Sequence, residues 1–329
     1  MMENRILVTG ATGFTGGHLC ERLAKDGHLV RALVRDPSQC RHFERMGVDV
    51  VQGDLRDAHS VDIAMKGIRT VYHIAALFRP ENVSRQDMWD INVEGTRHLL
   101  DAAIKEQVSC FVHCSTIGVH GDVKDPPATE ETPYAPGDYY QESKTEGEKL
   151  ALEYSAQGKL PIVVFRPGGI YGPRDLRFLK LFKAIKRKRF FMLGSGDILY
   201  QLVYIDDLVD GIILCGTHEK AIGEVFVLTG ERPQTLNAMV ATVAQVVGVN
   251  PPWLKLPVFP VYFAGFLCEL LCKPLGINPP LYRRRVDFFR KTRSFDIGKA
   301  KRMLGYQPKV SPQQGLQLTA EWYEKEGLL

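Results

Sequence analysis

Tyr140 and Lys144, in the run Tyr140-Gln141-Glu142-Ser143-Lys144, are the pair of side chains best suited to chemistry. Residues four apart on a helix share a face, with Cβ atoms roughly 5–6 Å apart. A fixed ammonium beside a phenol favours the phenolate. A neighbouring cation can lower a tyrosine pKa, ordinarily near 10, by about 1–3 units. A tyrosine tuned in this way can take a proton from an alcohol as hydride leaves, or return one to a ketone. Tyr-x-x-x-Lys also arises by chance on exposed helices, so the pair needs a second feature beside it.

That feature opens the chain: Val8-Thr9-Gly10-Ala11-Thr12-Gly13-Phe14-Thr15-Gly16-Gly17 follows the apolar run Ile6-Leu7-Val8. Glycines at 10, 13 and 16 suit a tight turn, a close backbone approach to a pyrophosphate, and close helix-on-strand packing. The helix that follows offers unpaired N–H groups and the positive end of its dipole. Gly10, Gly13, Phe14, Thr15 and Gly16 are therefore candidate dinucleotide-binding residues.

Positioning these groups requires alternating elements. Short β-rich runs at 5–9, 29–34, 48–52, 70–74, 110–115 and 161–166 alternate with helical stretches at 18–25, 61–66, 88–106 and 140–157. Such alternation implies a doubly wound parallel sheet of the Rossmann α/β class with helices on both faces, and ligands beyond the strand C-termini. The strand ends that matter are Thr9, Val34-Arg35, Gly53-Asp54, Ala75-Ala76, Ser115-Thr116 and Arg166-Pro167. After Pro167, prolines and glycines break the pattern. The reading is a dinucleotide-binding domain over 1–166 and a smaller, partly irregular C-terminal substrate lobe over 167–329, some of whose strands and helices return to the main domain.

Bulk properties narrow the class. The 329 residues are 45% hydrophobic, enough for one large or two modest cores. The net charge of +4 gives no argument for nucleic acid. The seven cysteines lack Cys-x-x-Cys pairing, so neither a metal site nor a disulfide framework is expected, and a reduced, cytoplasmic setting fits. The N-terminus runs straight into a strand, with no signal-peptide pattern.

The order of the glycine triplet, Gly53-Asp54-Leu55, His73-Ile74-Ala75-Ala76, Asn92-Val93-Glu94-Gly95-Thr96, Ser115-Thr116, Tyr140/Lys144 and Arg166-Pro167-Gly168 resembles the extended short-chain dehydrogenase/reductases, of the NAD-dependent epimerase/dehydratase type. That group includes sugar-nucleotide epimerases, dihydroflavonol reductases and 3β-hydroxysteroid dehydrogenases. The resemblance implies Tyr140 as general acid/base and Lys144 on the nicotinamide ribose. Family spacing places a hydroxyl five residues before a glycine, here Thr116 before Gly121, with Ser115 its neighbour. It further implies Asp54 and Leu55 beside the adenine, Ala75 and Ala76 along the ribose path, and Pro167 at the cofactor's edge; Asn92 has two readings, a contact near the cofactor or a satisfied polar group within its helix. It also implies a homodimer through the helices at 88–106 and 140–157.

The end of the second strand, where NAD readers carry an acid, holds Val34 followed by Arg35-Asp36. A guanidinium suits a 2′-phosphate by charge and fork geometry. Val30 to Pro37 is similar to the matching stretch of dihydroflavonol reductases, so NADP is expected, with NAD through Asp36 as the alternative.

For the small-molecule substrate, Phe78, Tyr171 and Tyr200 are the candidate contacts. Sugar-nucleotide dehydratases carry acids where Ile117 and Gly118 stand, which disfavours dehydration. Many sugar-nucleotide enzymes carry an arginine for the diphosphate where Tyr200 stands. The apolar run 258–267 offers three readings: a pocket wall, a core helix, or an interfacial anchor with Arg283-Arg284-Arg285 meeting anionic lipid. Wall and core are preferred, with weak membrane-surface contact through 258–285 retained. The functional expectation is hydride transfer between nicotinamide and a secondary alcohol or ketone of a ring or sugar. A nucleotide-sugar epimerase with tightly held cofactor, and a non-catalytic NADP-sensing module, are the alternatives.

Overall fold

A computed structural model describes residues 5–78, 83–272 and 286–329. The expected contact of Arg283-Arg284-Arg285 with lipid lies outside the described residues. The first strands are β1 (Arg5–Thr9), β2 (Leu29–Val34), β3 (Asp49–Gln52), β4 (Ile68–His73), β5 (Cys110–Cys114) and β6 (Ile162–Pro167). Among the described residues these six join the strand Val225–Leu228 in one seven-stranded sheet. Its order is β3-β2-β1-β4-β5-β6 followed by Val225–Leu228, and every pairing is parallel. Strand order reverses between β1 and β4, which makes their carboxyl ends the ligand crevice of a doubly wound sheet.

The helices are α1 (Phe14–Lys25), α2 (Arg41–Arg45), α3 (Ala58–Met65), α4 (Arg85–Trp89), α5 (Gly95–Lys105), α6 (Tyr139–Ala156), α7 (Leu179–Lys186), α8 (Ile205–Thr217), α9 (Leu236–Val246) and α10 (Val258–Cys272), followed by Gly298–Leu304 and Pro312–Lys325. The stretch expected as one helix over 88–106 is α4 and α5 joined by a π-helical turn, Asp90–Glu94. Such turns widen a helix by one residue and recur at functional sites. Here the turn carries Asn92 and Val93 into the interior.

Both sheet faces are covered, as the continuous apolar strands require. On one face Leu7, Val71, Phe111 and Val164 pack with Leu99, Leu100, Ala151 and Tyr154. On the other, Val8, Val112 and Phe165 share one core with Leu208, Ile212, Phe226 and Tyr323. The second half of the chain thus contributes a strand and helix α8 to the main core, so the change of pattern after Pro167 is not a break between independent cores.

Candidate active site

The carboxyl ends of β1, β2, β4, β5 and β6 open onto one cleft of about 1280 Å³. Its floor at β1 is the glycine loop. Gly10 has φ +74°, and a Cβ there would lie 2.7 Å from the Ala75 backbone nitrogen, so only glycine lets β1 turn this close to the loop after β4. At Gly16 a Cβ would overlap the Gly10 carbonyl. Gly13 N donates to Gly10 O at 2.9 Å and caps α1. The first turn of α1 holds no acid, and Phe14, Thr15 and Gly16 face the cleft. A backbone cradle with no room for side chains, at an amphipathic helix N-terminus without a competing carboxylate, fits a dinucleotide pyrophosphate.

The adenosine end is marked by β2 and β3. Arg35, Asp54 and Leu55 line the cleft. Asp36 does not. Its carboxylate accepts from Ser38 N (3.0 Å), Ser38 Oγ (2.7 Å) and Gln39 Nε2 (2.9 Å), capping the turn Pro37–Cys40. Asp54 is gripped by Arg56 through two guanidinium contacts of 3.1 and 2.6 Å, which hold its carboxyl below the usual carboxylate range.

At the reacting end, Asp138 caps α6 by accepting from Gln141 N at 3.0 Å, so the helix begins immediately before Tyr140. Tyr140 faces the cleft, with its ring edge-on to Phe78 at 4.9 Å between centroids. Lys144, one turn on, is buried, and its Nζ donates to Cys114 O at 2.6 Å. Burial pulls its pKa down, opposed by the neighbouring Cys114 and by the Glu148 carboxylate. The turn Ile117–His120 lies against the start of α6, because Gly118 leaves room for Gln141 (a Cβ would sit 3.2 Å from Gln141 Cγ).

The two hydroxyl candidates separate. Thr116 lines the cleft, and its Oγ1 accepts from Gly118 N at 3.0 Å, which leaves its proton available to a ligand. The buried Ser115 hydroxyl donates to Glu148 Oε2. Glu148 in turn accepts both Arg166 Nε, at 3.1 and 3.2 Å, and the Tyr134 hydroxyl at 2.9 Å. Ser115 also lines the cleft, but its hydroxyl is held in this buried ionic cluster.

Asn92 does not line the cleft. Its side chain accepts from Leu77 N (2.8 Å) and donates to Leu77 O (3.3 Å) and Ser143 Oγ (2.9 Å), tying the loop after β4 to α6. The expected cofactor contact of Asn92 is replaced by a positioning role. Beneath it, His73 joins Thr9 Oγ1 (2.9 Å) to Thr96 Oγ1 (3.0 Å), and Ala75 N donates to Thr9 Oγ1 at 3.2 Å. Burial, with the Lys144 charge, pushes His73 down to about 3. His113 is fully buried 5.3 Å from the His73 ring, and neither of its nitrogens has a hydrogen-bond partner among the described residues.

Ala75, Ala76, Phe78 and Pro167 line the cleft, as does Tyr200. Tyr171 does not: its ring is buried at 2% exposure, edge-on to Tyr204, with no room at Gly315 beside it for even a Cβ. Its expected substrate contact is corrected to a core role, because its ring is packed between Tyr204 and the backbone at Gly315. The Tyr200 hydroxyl donates to Phe288 O and accepts from Arg293 Nη1, both at 2.5 Å. Tyr262, within the run 258–267 expected as a pocket wall, lines the cleft, and sequence reasoning missed Arg177, Glu269, Phe288, Lys291 and Arg293, which also line it. They lie outside the strand-end pattern, and several come from a segment some 150 residues beyond Tyr140. No local spacing marks them.

The comparisons with known proteins agree with this geometry. The model of the NAD dependent epimerase/dehydratase family matches residues 6–229. An uncharacterized protein of Sinorhizobium fredii is 32% identical, covering 98% of this chain and 96% of that one. The decarboxylating sterol-4-alpha-carboxylate 3-dehydrogenase of Saccharomyces cerevisiae is 30% identical over 98% of each chain. The UDP-glucuronic acid 4-epimerase of Bacillus cereus, solved in complex with NAD, is 25% identical with a TM-score of 0.79, covering 98% of this chain and 99% of that one.

Proposed function

This chain belongs to the NAD dependent epimerase/dehydratase family, the extended short-chain dehydrogenase/reductases, and from that premise we propose an NADP-dependent oxidoreductase acting on a secondary alcohol or ketone of an apolar ring. The observation that carries this reading is Tyr140, one turn before buried Lys144, open to the cleft against the Phe78 ring. A nicotinamide dinucleotide along the glycine loop would supply the hydride acceptor or donor. Tyr140 takes the alcohol proton in oxidation and returns it in reduction. The Lys144 ammonium and the N-terminus of α6 favour its phenolate. Thr116 donates its free hydroxyl proton to the substrate oxygen. A non-catalytic sensor has no support, since both members of the acid/base pair are in place.

Arg35 facing the cleft, with the Asp36 carboxylate already engaged by Ser38 and Gln39, supports NADP over NAD. Phe78, Ile170, Leu202, Tyr262 and Phe288 in the outer cleft support an alicyclic substrate, and the sterol dehydrogenase likeness points the same way. Neither Ile117 nor Gly118 offers an acid for dehydration. Assay of alicyclic alcohols with each oxidised cofactor, followed by reduced-nicotinamide absorbance, tests this reading. Turnover with NADP and hydroxysteroid-type alcohols is expected, and activity confined to nucleotide sugars would overturn it.

An epimerase is the second reading, favoured by Arg293 and Lys291 in the cleft, which could meet a diphosphate. Protein purified with bound nucleotide and no net cofactor turnover would select it. A homodimer through α5 and α6 belongs to the same proposal and is checked by sedimentation equilibrium. Among the described residues no helix is long and apolar enough to cross a membrane.

A further inference from the structure

Helix α10 has two unlike sides. Tyr262, Gly265 and Glu269, spaced three and four apart, fall on one stripe; Gly265 and Glu269 are buried, and Tyr262 and Glu269 line the cleft. Phe259, Phe263, Phe266 and Leu270 form a second stripe that faces outward. Phe259 is 75% exposed, and successive phenylalanine rings stand 6.3 Å apart in a ladder. The core-helix reading of this segment is thus set aside, since the helix is a cleft wall with an apolar outer side.

The outer stripe is continued by residues remote in sequence. Met192 N donates to Leu254 O at 2.9 Å and Gly194 N to Leu256 O at 2.8 Å. This short parallel pairing brings Phe191 to the same edge as Trp253 and Leu254, all exposed, with Trp253 at 87%. Gly194 lies directly under the start of α10, since a Cβ there would be 2.9 Å from Val258 Cγ2. Exposed Arg187, Lys188 and Arg189 precede Phe191, and exposed Lys255 follows Leu254. Residues 176–196 and 251–268 contain no Asp or Glu.

We propose that this surface docks on an anionic lipid membrane, with α10 lying in the interface so that the cleft opens beside the bilayer. An exposed tryptophan, an aromatic ladder and a flank of exposed cations at Arg187, Lys188, Arg189 and Lys255 are the chemistry of an interfacial helix. Charge decides the occupant. A second copy would set these exposed cations against one another, whereas an anionic leaflet complements them. Apolar alcohols dissolved in that leaflet would then reach Tyr262 and the cleft without crossing water. The docking itself does not depend on the cofactor or substrate assignment.

The test is co-sedimentation of the full chain with vesicles of phosphatidylcholine alone and of an equimolar mixture with phosphatidylglycerol. Binding to the mixed vesicles is expected, with a blue shift in tryptophan emission that Trp253→Phe abolishes. Because neighbouring cations each add severalfold to binding, Lys188→Glu with Arg189→Glu should lower partitioning at least about tenfold. Phe259→Glu with Phe263→Glu should abolish it, with the thermal midpoint unchanged because these side chains are exposed. Recovery in the supernatant with both lipids would overturn the proposal. So would binding that survives these substitutions, or a lipid-free dimer dissolved by Phe263→Glu, which would assign the surface to a second copy.

Discussion

Lys144 Nζ donates a 2.6 Å hydrogen bond to the Cys114 carbonyl, joining the second turn of α6 to the end of β5 at the point where Tyr140 and Thr116 both reach the cleft. One buried ammonium thus sets the distance between the helix that carries the phenol and the strand end that carries the hydroxyl. Lys144→Met leaves that carbonyl without its donor and removes the cation one helical turn from Tyr140. We expect turnover to fall by at least about a hundredfold, in the range of lost acid–base assistance, together with weaker cofactor binding. Steady-state kinetics and cofactor titration check both.

Tyr140→Phe keeps the edge-on contact with Phe78 and removes only the hydroxyl. Turnover should drop about 10²–10⁴-fold with cofactor affinity nearly unchanged. Full activity in this variant would end the acid/base assignment.

Arg35→Ala should weaken NADPH binding about ten- to a hundredfold, the scale of a hydrogen bond to a charged group, and leave NADH binding almost untouched. Fluorescence titration of the two reduced cofactors reads the difference. Equal losses would mean that Arg35 does not meet a 2′-phosphate.

Gly16→Ala places a methyl against the Gly10 carbonyl, which is backbone and cannot swing aside. The loop must open, so dinucleotide binding should be lost or fall severely, while the sheet core stays folded. Calorimetric titration alongside circular dichroism separates the two.

Arg166 and Glu148 are both almost fully buried, at 3% and 0% side-chain exposure. Glu148→Gln leaves the Arg166 charge without its counter-ion and should cost about 3–5 kcal/mol of stability, read from urea unfolding.

His73 gives the pH dependence its sign. Its folded pKa, about 3, lies below the ordinary 6.5, so between those values the unfolded chain binds a proton that the folded chain refuses. Stability is therefore full above pH 6.5 and falls with acidification through that window, by up to roughly 1.4 kcal/mol per pH unit for this one group. Urea midpoints at several pH values should show this slope, and His73→Gln should reduce it by this group's share, the buried His113 contributing in the same direction.

The strand–helix alternation and the glycine loop were legible because each is local. A short continuous apolar run, a turn that only glycine can make, and a four-residue helical spacing are written within a few neighbouring residues. Gly10, Gly16, Arg35, Thr116, Tyr140 and Lys144 all lie at strand ends or within the first two turns of helices, and the sheet carries all of them to one crevice. Which groups are spent elsewhere was not legible. Asn92 became a tie between Leu77 and Ser143, Ser115 joined the Glu148 cluster, and Tyr171 turned into the core. Each outcome depends on partners dozens of residues away.

The sequence alone determined the doubly wound sheet, the glycine loop at its first strand and the one-turn spacing of Tyr140 and Lys144, since their geometry is fixed by backbone periodicity. Only the tertiary structure decided the outer wall of the cleft. Tyr262, Glu269, Phe288, Lys291 and Arg293 meet the cleft because the C-terminal segment folds back over the sheet edge, and no local spacing records that return. It also decided that α10 keeps an apolar side outward, because burial is a property of what packs against a helix and not of the helix itself.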